Sequence, residues 1–244
     1  MVTLRLAVAA LALTALWRPR IRGDRATLGV AAAAGTLLAV HHLAYYEAVA
    51  RLPLGAATTL EFLGPFALAL CGSRRAPDLL WAGLAAAGVL LLSRTGAALN
   101  GVGIACAVVA GCCWGGYILA GKRLAEGAPD GRGLALAVTW AALLSLPYGL
   151  TQAGIRLLDP GTCVVAAAVA VLSSVVPYTV QLEALRRLTP RVFGVLTSLE
   201  PAIGALIGLL FLGQHLGAAQ WAGVTAVALA SVGAARTEEP AGGR

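Results

Sequence analysis

The chain has 244 residues, of which 59% are hydrophobic and 12% charged, with a mean hydropathy of +0.83. A soluble domain carries about 25% charged and about 45–50% apolar residues, so a water-facing fold of this length cannot bury the excess and a soluble enzyme is excluded. The net charge of +7 sits in connections between apolar blocks and forms no patch for a nucleic-acid partner.

In chain order, apolar blocks run near 2–17, 27–50, 56–73, 79–93, 101–121, 133–150, 161–183, 191–213 and 216–235. About 20 residues at ~1.5 Å rise cross a hydrocarbon layer ~30 Å thick, which matches most of these lengths. No water satisfies the backbone in that layer, so a span must be a helix or part of a closed barrel. Unbroken apolar runs select helices over alternating barrel strands. The expected fold is all-α, a polytopic membrane bundle of nine transmembrane helices. The first block has no basic segment before it and ends on Trp17 and Arg18, which marks a retained helix rather than a cleaved signal peptide.

Charge placement sets the expected topology. Of 18 Lys and Arg, Arg5 lies inside the first block. Taking alternate connections, one side receives Arg18, Arg20, Arg22, Arg25, Arg74, Arg75, Lys122, Arg123, Arg132, Arg186, Arg187, Arg191, Arg236 and Arg244, and the other only Arg51, Arg94 and Arg156. Basic residues are retained in the cytoplasm, so the C-terminus is expected there and the N-terminus outside. The five cysteines (Cys71, Cys106, Cys112, Cys113 and Cys163) lie in apolar blocks without metal-ligand neighbours and read as small buried hydrophobes.

The chain repeats itself. At an offset of 136 without gaps, Arg51, Leu52, Leu60, Leu63, Pro65, Ala69 and Leu70 match Arg187, Leu188, Leu196, Leu199, Pro201, Ala205 and Leu206. Four residues of extra loop later, Trp81-Ala82-Gly83 matches Trp221-Ala222-Gly223. The charge count puts Arg51 outside and Arg187 inside, so the same helix pair enters the membrane in opposite senses. Inverted repeats of this kind typify secondary transporters, whose substrate sits near the midplane between the halves. The expected division is a four-helix first repeat at 1–95, a five-helix second repeat at 96–236 and a cytoplasmic tail at 237–244. The helix that would complete the first repeat would precede residue 2.

The residues that carry transport are those that cost most in lipid. Glu61 is an ionisable carboxyl in an apolar run, costing about 2.5–3.5 kcal/mol on insertion scales, and is expected to face the bundle interior. Thr58 lies about a turn before it and Gly64–Pro65 a turn after, where the proline frees a backbone carbonyl. Two readings stay open: a carboxylate that takes a proton or a cationic substrate group, or one held near the outer interface by Arg51 or water. Glu200 is either a substrate ligand or the cap of a broken helix; its gapless counterpart is Gly64, while Thr197 pairs with Glu61. His41 and Tyr45, like His42 and Tyr46, are one turn apart, as a proton relay or as histidines satisfied by tyrosine. Glu47 is expected at the outer interface. Trp114 and Tyr117 form a cavity wall or belong to an interfacial belt. Tyr178 and Gln181 follow Pro177 as a polar edge, with Glu183, Arg186 and Arg187 interfacial. Gly111–Gly115 and Gly204–Gly208 are small-xxx-small pairs that suit close helix packing.

The strings EFLGPFALAL, SRRAPDLLWAGL, AGCCWGGYILAGKR, VPYTVQLEALRRLTPRVFGVLTSLEPAIGAL and FLGQHL resemble the drug/metabolite transporter superfamily in its EamA-type members. Among these, the inner-membrane threonine/homoserine exporters are the most similar subgroup. The resemblance implies ten helices in two inverted five-helix repeats and export of small amino acids or related metabolites. The stretch from Val2 looks like that family's second helix, and Gln214 stands where such proteins often have Glu.

No P-loop, HExxH, nucleophile–base pair or dinucleotide turn is present in the sequence, so no cofactor or metal is expected and the drive is a substrate or proton gradient. The partners expected are a small-molecule substrate, protons as one option, the plasma-membrane bilayer and, as a further option, a second copy of the chain. Efflux of hydrophobic cations, an intramembrane lipid-modifying enzyme and a non-transporting membrane protein are the competing functions.

Overall fold

Long apolar runs rich in Ala and Leu, both strong helix formers, fold as helices throughout. The computed structural model describes residues 2–19, 25–70, 76–93, 100–127, 131–153, 160–188, 200–214 and 216–236. Its helices are α1 (Val2–Trp17), α2 (Arg25–Val49), α3 (Leu54–Leu70), α4 (Ala76–Ser93), α5 (Gly101–Gly127), α6 (Arg132–Ala153), α7 (Pro160–Ala170), α8 (Val176–Arg187), α9 (Glu200–Leu212) and α10 (Ala218–Arg236). A π-helical segment, Val171–Val175, joins α7 to α8. No strand occurs among the described residues.

The predicted block at 101–121 extends to Gly127, a full turn beyond its apolar part, because Lys122 and Glu126 form an i,i+4 pair at 3.4 Å. The block at 79–93 begins earlier, at Ala76. Much of the basic pattern lies outside the described residues: Arg20, Arg22, Arg74, Arg75, Arg94, Arg156, Arg191, Arg244 and the tail 237–244, as do Thr197 and Cys71. Cys106, Cys112 and Cys113 carry free thiols.

Four helices among the described residues are long and apolar enough to cross a membrane: Arg25–Val49, Gly101–Gly127, Arg132–Thr151 and Val164–Arg187. The exposed surface is apolar where a soluble protein would be polar, with Leu172 at 76%, Leu210 at 73% and Phe211 at 79% exposure. His41, His42, Gln181 and Ser174 are buried. Polar groups inside and hydrocarbon outside fit a membrane helix bundle.

The chain divides into two compact units, one of Met1–Leu43 with Gly116–Thr189, the other of Ala44–Gly115 with Pro190–Arg244. In the first, α1 lies along α6. Thr3 donates to the Ser145 carbonyl at 3.1 Å, and the Thr14 and Thr139 hydroxyls meet at 3.2 Å. Interhelical bonds of this kind average ~0.6 kcal/mol in a membrane, too little to hold two helices alone. Close packing does more, since Gly149 leaves room for Thr3, and Trp17 lies over Gly131 at the other end.

In the second unit α3 packs on α9, and α4 on α10. Phe62, Phe66, Ala85, Val227 and Ala230 form one core, edged by Trp81 and Leu84. A second joins Ala48, Leu52, Ala57, Leu60 and Ala107. The two small-xxx-small pairs receive α3 from two helices. Gly111 and Gly115 of α5 meet Gly64 and the backbone of Glu61, whereas Gly204 of α9 faces the Thr58 side chain. A Cβ at Gly64 would strike the Gly111 carbonyl, and a Cβ at Gly111 would strike the Glu61 carbonyl.

Gly64→Ala and Gly111→Ala are therefore expected to destabilise the protein by about 1–3 kcal/mol or more, the cost of overpacking a close contact. Gly29, in α2 with nothing within 4 Å of its would-be Cβ, is the control: Gly29→Ala should be neutral or stabilising by up to ~1 kcal/mol. Thermal unfolding of the detergent-purified variants measures both.

Candidate functional site

Each unit holds one set of polar side chains on faces that are otherwise apolar. In the first unit the set is built around His42. Arg5 reaches from α1 and places Nη2 2.9 Å from His42 Nδ1. His42 Nε2 makes a short hydrogen bond with the Tyr178 hydroxyl of α8. A guanidinium has only donors, so Nδ1 accepts, the ring proton sits on Nε2, and Nε2–H donates to Tyr178. The His41 ring lies beside that of His42, with centroids 4.8 Å apart. Tyr117, at 3% exposure, lies inside the unit.

Ser174, Tyr178 and Gln181 are spaced i, i+4 and i+7, and all three are buried. They line one face of the helix that runs from the π segment into α8. The π segment has a local cause. Pro177 has no N–H for the Ser173 carbonyl, and its ring clashes with that carbonyl in a regular α-helix. The chain widens by one residue instead, and the Val176 N–H reaches back to the Val171 carbonyl. Pro177 thus begins α8 in the tolerated first turn. At the other end of α8, Lys122 Nζ donates to the Leu185 carbonyl at 2.9 Å, and Arg186 and Arg187 each bind Glu183 at 2.8 Å.

The second unit holds carboxyls. Glu61, half-buried on α3, lies within reach of the charge of Glu200. Glu200 is exposed in the first turn of α9, where the helix dipole favours an anion by about 0.3–1 kcal/mol. Pro65 cannot bond the Glu61 carbonyl four residues back, and Gly111 approaches at that carbonyl. Thr58 donates to the Leu54 carbonyl at 2.9 Å, so its hydroxyl is engaged with its own helix while its side chain fills the notch over Gly204. Tyr45 packs at the edge of the Leu52–Leu60 core, and Trp114 is half-buried on α5. Arg51 turns to Glu47, forming an ion pair and donating to the Glu47 carbonyl at 2.8 Å.

The sequence-predicted residues are therefore sorted into two groups. His41, Tyr117, Tyr178 and Gln181 fall in the first unit, and Glu61, Thr58, Tyr45, Trp114 and Glu200 in the second. Arg5 and Ser174 were not among the predicted site residues, and His42 was read only beside Tyr46. Arg5 carried a signal, as the one basic residue inside an apolar block; the partners of His42 did not, being 37 and 136 residues away in sequence.

Gln214 closes the second unit. Gly213, at φ +62, ends α9 in the left-handed region that favours glycine. Gln214 N–H then reaches the Gly208 carbonyl at 2.9 Å, and its Oε1 accepts from the Leu54 N–H at the start of α3, also at 2.9 Å.

Apolar outer faces with polar sets inside define a membrane helix bundle. The sequence model of the EamA-like transporter family matches residues 101–236. The threonine/homoserine exporter RhtA of Escherichia coli (strain K12) is 38% identical over 239 residues, covering 96% of this chain and 80% of its own. The RhtA proteins of Salmonella typhimurium (strain SL1344) and Escherichia coli O157:H7 match to the same extent. A protein of known crystal structure covers 97% of this chain and 88% of its own with a TM-score of 0.64 at 18% identity, a likeness of fold. The chain belongs to the EamA-like transporter family.

Replacing Gln214 by Leu is expected to cost about 1 kcal/mol, the usual loss of a helix cap, while Gln214→Glu keeps the acceptor for Leu54 and should lose less. Melting temperatures of the two variants in one detergent decide it.

Proposed function

We propose that this protein is a secondary-active exporter of small amino acids of the threonine or homoserine kind, resident in the plasma membrane as a multi-pass protein. The observation that carries this is 38% identity across 96% of the chain to threonine/homoserine exporters. Nine crossings in two inverted repeats, 1–95 and 96–236, with the tail 237–244 in the cytoplasm, give the architecture. Three observations support it: the uneven placement of basic residues, the matches at an offset of 136, and the packing of α1 on α6, α3 on α9 and α4 on α10. Each of these pairs joins a helix to the one that the repeat makes its counterpart.

In this reading Glu61 and Glu200 form the coupling element. Two carboxyls within reach of each other in a low-dielectric setting repel, and a proton or an ammonium group between them relieves the repulsion. Gradient-driven export needs a group whose charge changes with occupancy, and this pair supplies it. His41, Tyr45, Trp114, Tyr117, Tyr178 and Gln181 line the substrate or proton pathway, with Thr58 setting the spacing of α3 from α9. The same carboxyl pair would take a cationic head group, which makes efflux of hydrophobic cations the second reading.

Proteoliposomes loaded with radiolabelled L-threonine or L-homoserine, with and without a pH gradient, test the proposal. Gradient-sensitive efflux is expected; no efflux of either amino acid, with efflux of a hydrophobic cation, would favour the second reading. Glu61→Gln should reduce export at least ~10-fold while the protein inserts normally, since loss of a catalytic-type proton group costs on the order of 10²–10⁴. Glu47→Gln, which pairs with Arg51 at the end of α2, should export nearly as wild type. Normal export by Glu61→Gln across pH ~6–8 would make the carboxyl structural.

Orientation is tested separately. Single-cysteine labels in the Arg74–Asp78 and Lys122–Arg132 connections should react only from the cytoplasm, and labels near Arg156 or Gln214 only from outside. Outside labelling of the Lys122–Arg132 connection would rule out the inverted arrangement.

A further inference from the structure

Where α1 ends and α6 begins, two arginines face one hollow. Arg18 and Arg132 line an open pocket of ≈ 660 Å³ together with Thr14, Leu16, Trp17 and Pro19, all within the first unit. Among the described residues that line it, none is acidic. The two helix ends are held side by side by close packing. Gly131, at φ +80, precedes α6, and a Cβ there would meet the Trp17 ring at 2.6 Å. One turn back along α1, the Thr14 and Thr139 hydroxyls meet at 3.2 Å. Arg18 follows the first helix at this contact and Arg132 opens the second, so both reach the same opening.

The backbone at Arg18 is unusual as well. Among the described residues it is the one non-glycine with positive φ, at 43°. Its N–H bonds the Thr14 carbonyl at 2.8 Å and closes α1 with a left-handed cap. Glycine makes such a cap most easily, and a side chain there costs strain. Arginine at this place puts a guanidinium in the pocket wall.

The ligand follows from the lining. Two guanidiniums at one opening repel unless an anion lies between them, and a fork of N–H donors matches the paired oxygens of a phosphate. Arg132 also interacts within the protein; a guanidinium has five N–H donors, so neither arginine has to be unpaired to hold a phosphate oxygen. The remaining lining is largely apolar, with Leu16 at 61% exposure beside Pro19 and the indole. Leu11 and Ala15, four residues apart on one face of α1, are exposed too and continue this surface along the helix. A phosphate that carries acyl chains meets both parts of it, whereas free phosphate meets only the arginines. Charge placement assigns this end to the cytoplasmic leaflet, where basic pockets between helices suit anionic headgroups and a Trp ring suits the headgroup level.

We infer that the Arg18–Arg132 pocket binds the phosphate headgroup of an anionic phospholipid, which bridges the end of α1 to the start of α6. The pocket uses none of the residues placed in the substrate pathway above.

Melting of the detergent-purified full chain tests this. It is measured with added dioleoylphosphatidylglycerol, with zwitterionic dioleoylphosphatidylcholine and with inorganic phosphate, all at equal concentration. A ligand that binds only the folded state raises its melting temperature. Phosphatidylglycerol should raise that of the wild type by about 2–4 °C over phosphatidylcholine, and inorganic phosphate should not. Arg132→Gln should lose at least half of this gain. Arg18→Gly removes the guanidinium but eases the left-handed cap, so it should fold without lipid as well as wild type and still lose the gain. Arg187→Gln removes the same charge at the exposed end of α8 and should keep it.

Equal shifts by the two lipids would overturn the site. So would a full phosphatidylglycerol gain in both Arg18→Gly and Arg132→Gln, or an equal loss in Arg187→Gln, since either leaves only a general attraction to basic surface. A shift by inorganic phosphate as large as that by phosphatidylglycerol would overturn the lipid as occupant. Should Arg132→Gln fail to fold, Arg18→Gly decides the matter.

Discussion

Among the described residues the tightest constraint is the backbone approach of α3 to α5. Pro65 leaves the Glu61 carbonyl without its helical donor, and Gly111 comes in at that carbonyl, with Gly64 stacked against Gly111 and Gly115. Only a residue without Cβ fits at either crossing point. On its other side α3 meets α9, where Gly204 accepts Thr58 and Ala205 meets Gly55. Lipid gives helices no hydrophobic reason to associate, so small residues on the neighbouring helices do what a large apolar core does in water. The position of the Glu61 side chain follows from this, because the backbone that carries it is fixed on two sides.

Much of this was legible in the sequence. Block lengths and hydropathy gave the helices, because crossing a hydrocarbon layer is a local requirement on a continuous stretch. Gly111–Gly115 and Gly204–Gly208 were readable as packing stripes, and Glu61 as the residue out of place. The resemblance to EamA-type transporters, carried by the strings around Glu61 and Glu200, agrees with the family. What stayed hidden depends on partners distant in the chain. Helical periodicity suggested that His42 would look to Tyr46, one turn along, whereas His42 is engaged by Arg5 and Tyr178 on other helices. Arg51 pairs with Glu47, four residues back, a spacing that the same periodicity does allow. Glu61 and Glu200 were weighed one at a time, and only the packing of α3 on α9 makes them a pair. The π segment was also invisible, since proline in an apolar run permits a kink, a break or a widened turn alike.

The two units differ in chemistry more than in architecture. One gathers donors and a fixed positive charge, the other carboxyls, and in each the surroundings are Ala, Leu, Val and Phe. Low dielectric amplifies both. Hydrogen bonds and charges that would be worth little in water become stronger and more specific there. The exposed ion pair of Arg187 with Glu183 at the end of α8 is worth little by contrast, as exposed pairs are.

The widened turn before Pro177 means that α7 and α8 are out of phase by one residue, about 100° of rotation. Pro177, with no N–H to hand on, fixes the change of phase at this point in the chain. Ser174 sits inside the mismatch, and Tyr178 and Gln181 lie past it on a segment anchored by Lys122 at the Leu185 carbonyl. The polar face thus begins where the helix changes phase and ends on a segment tied to α5.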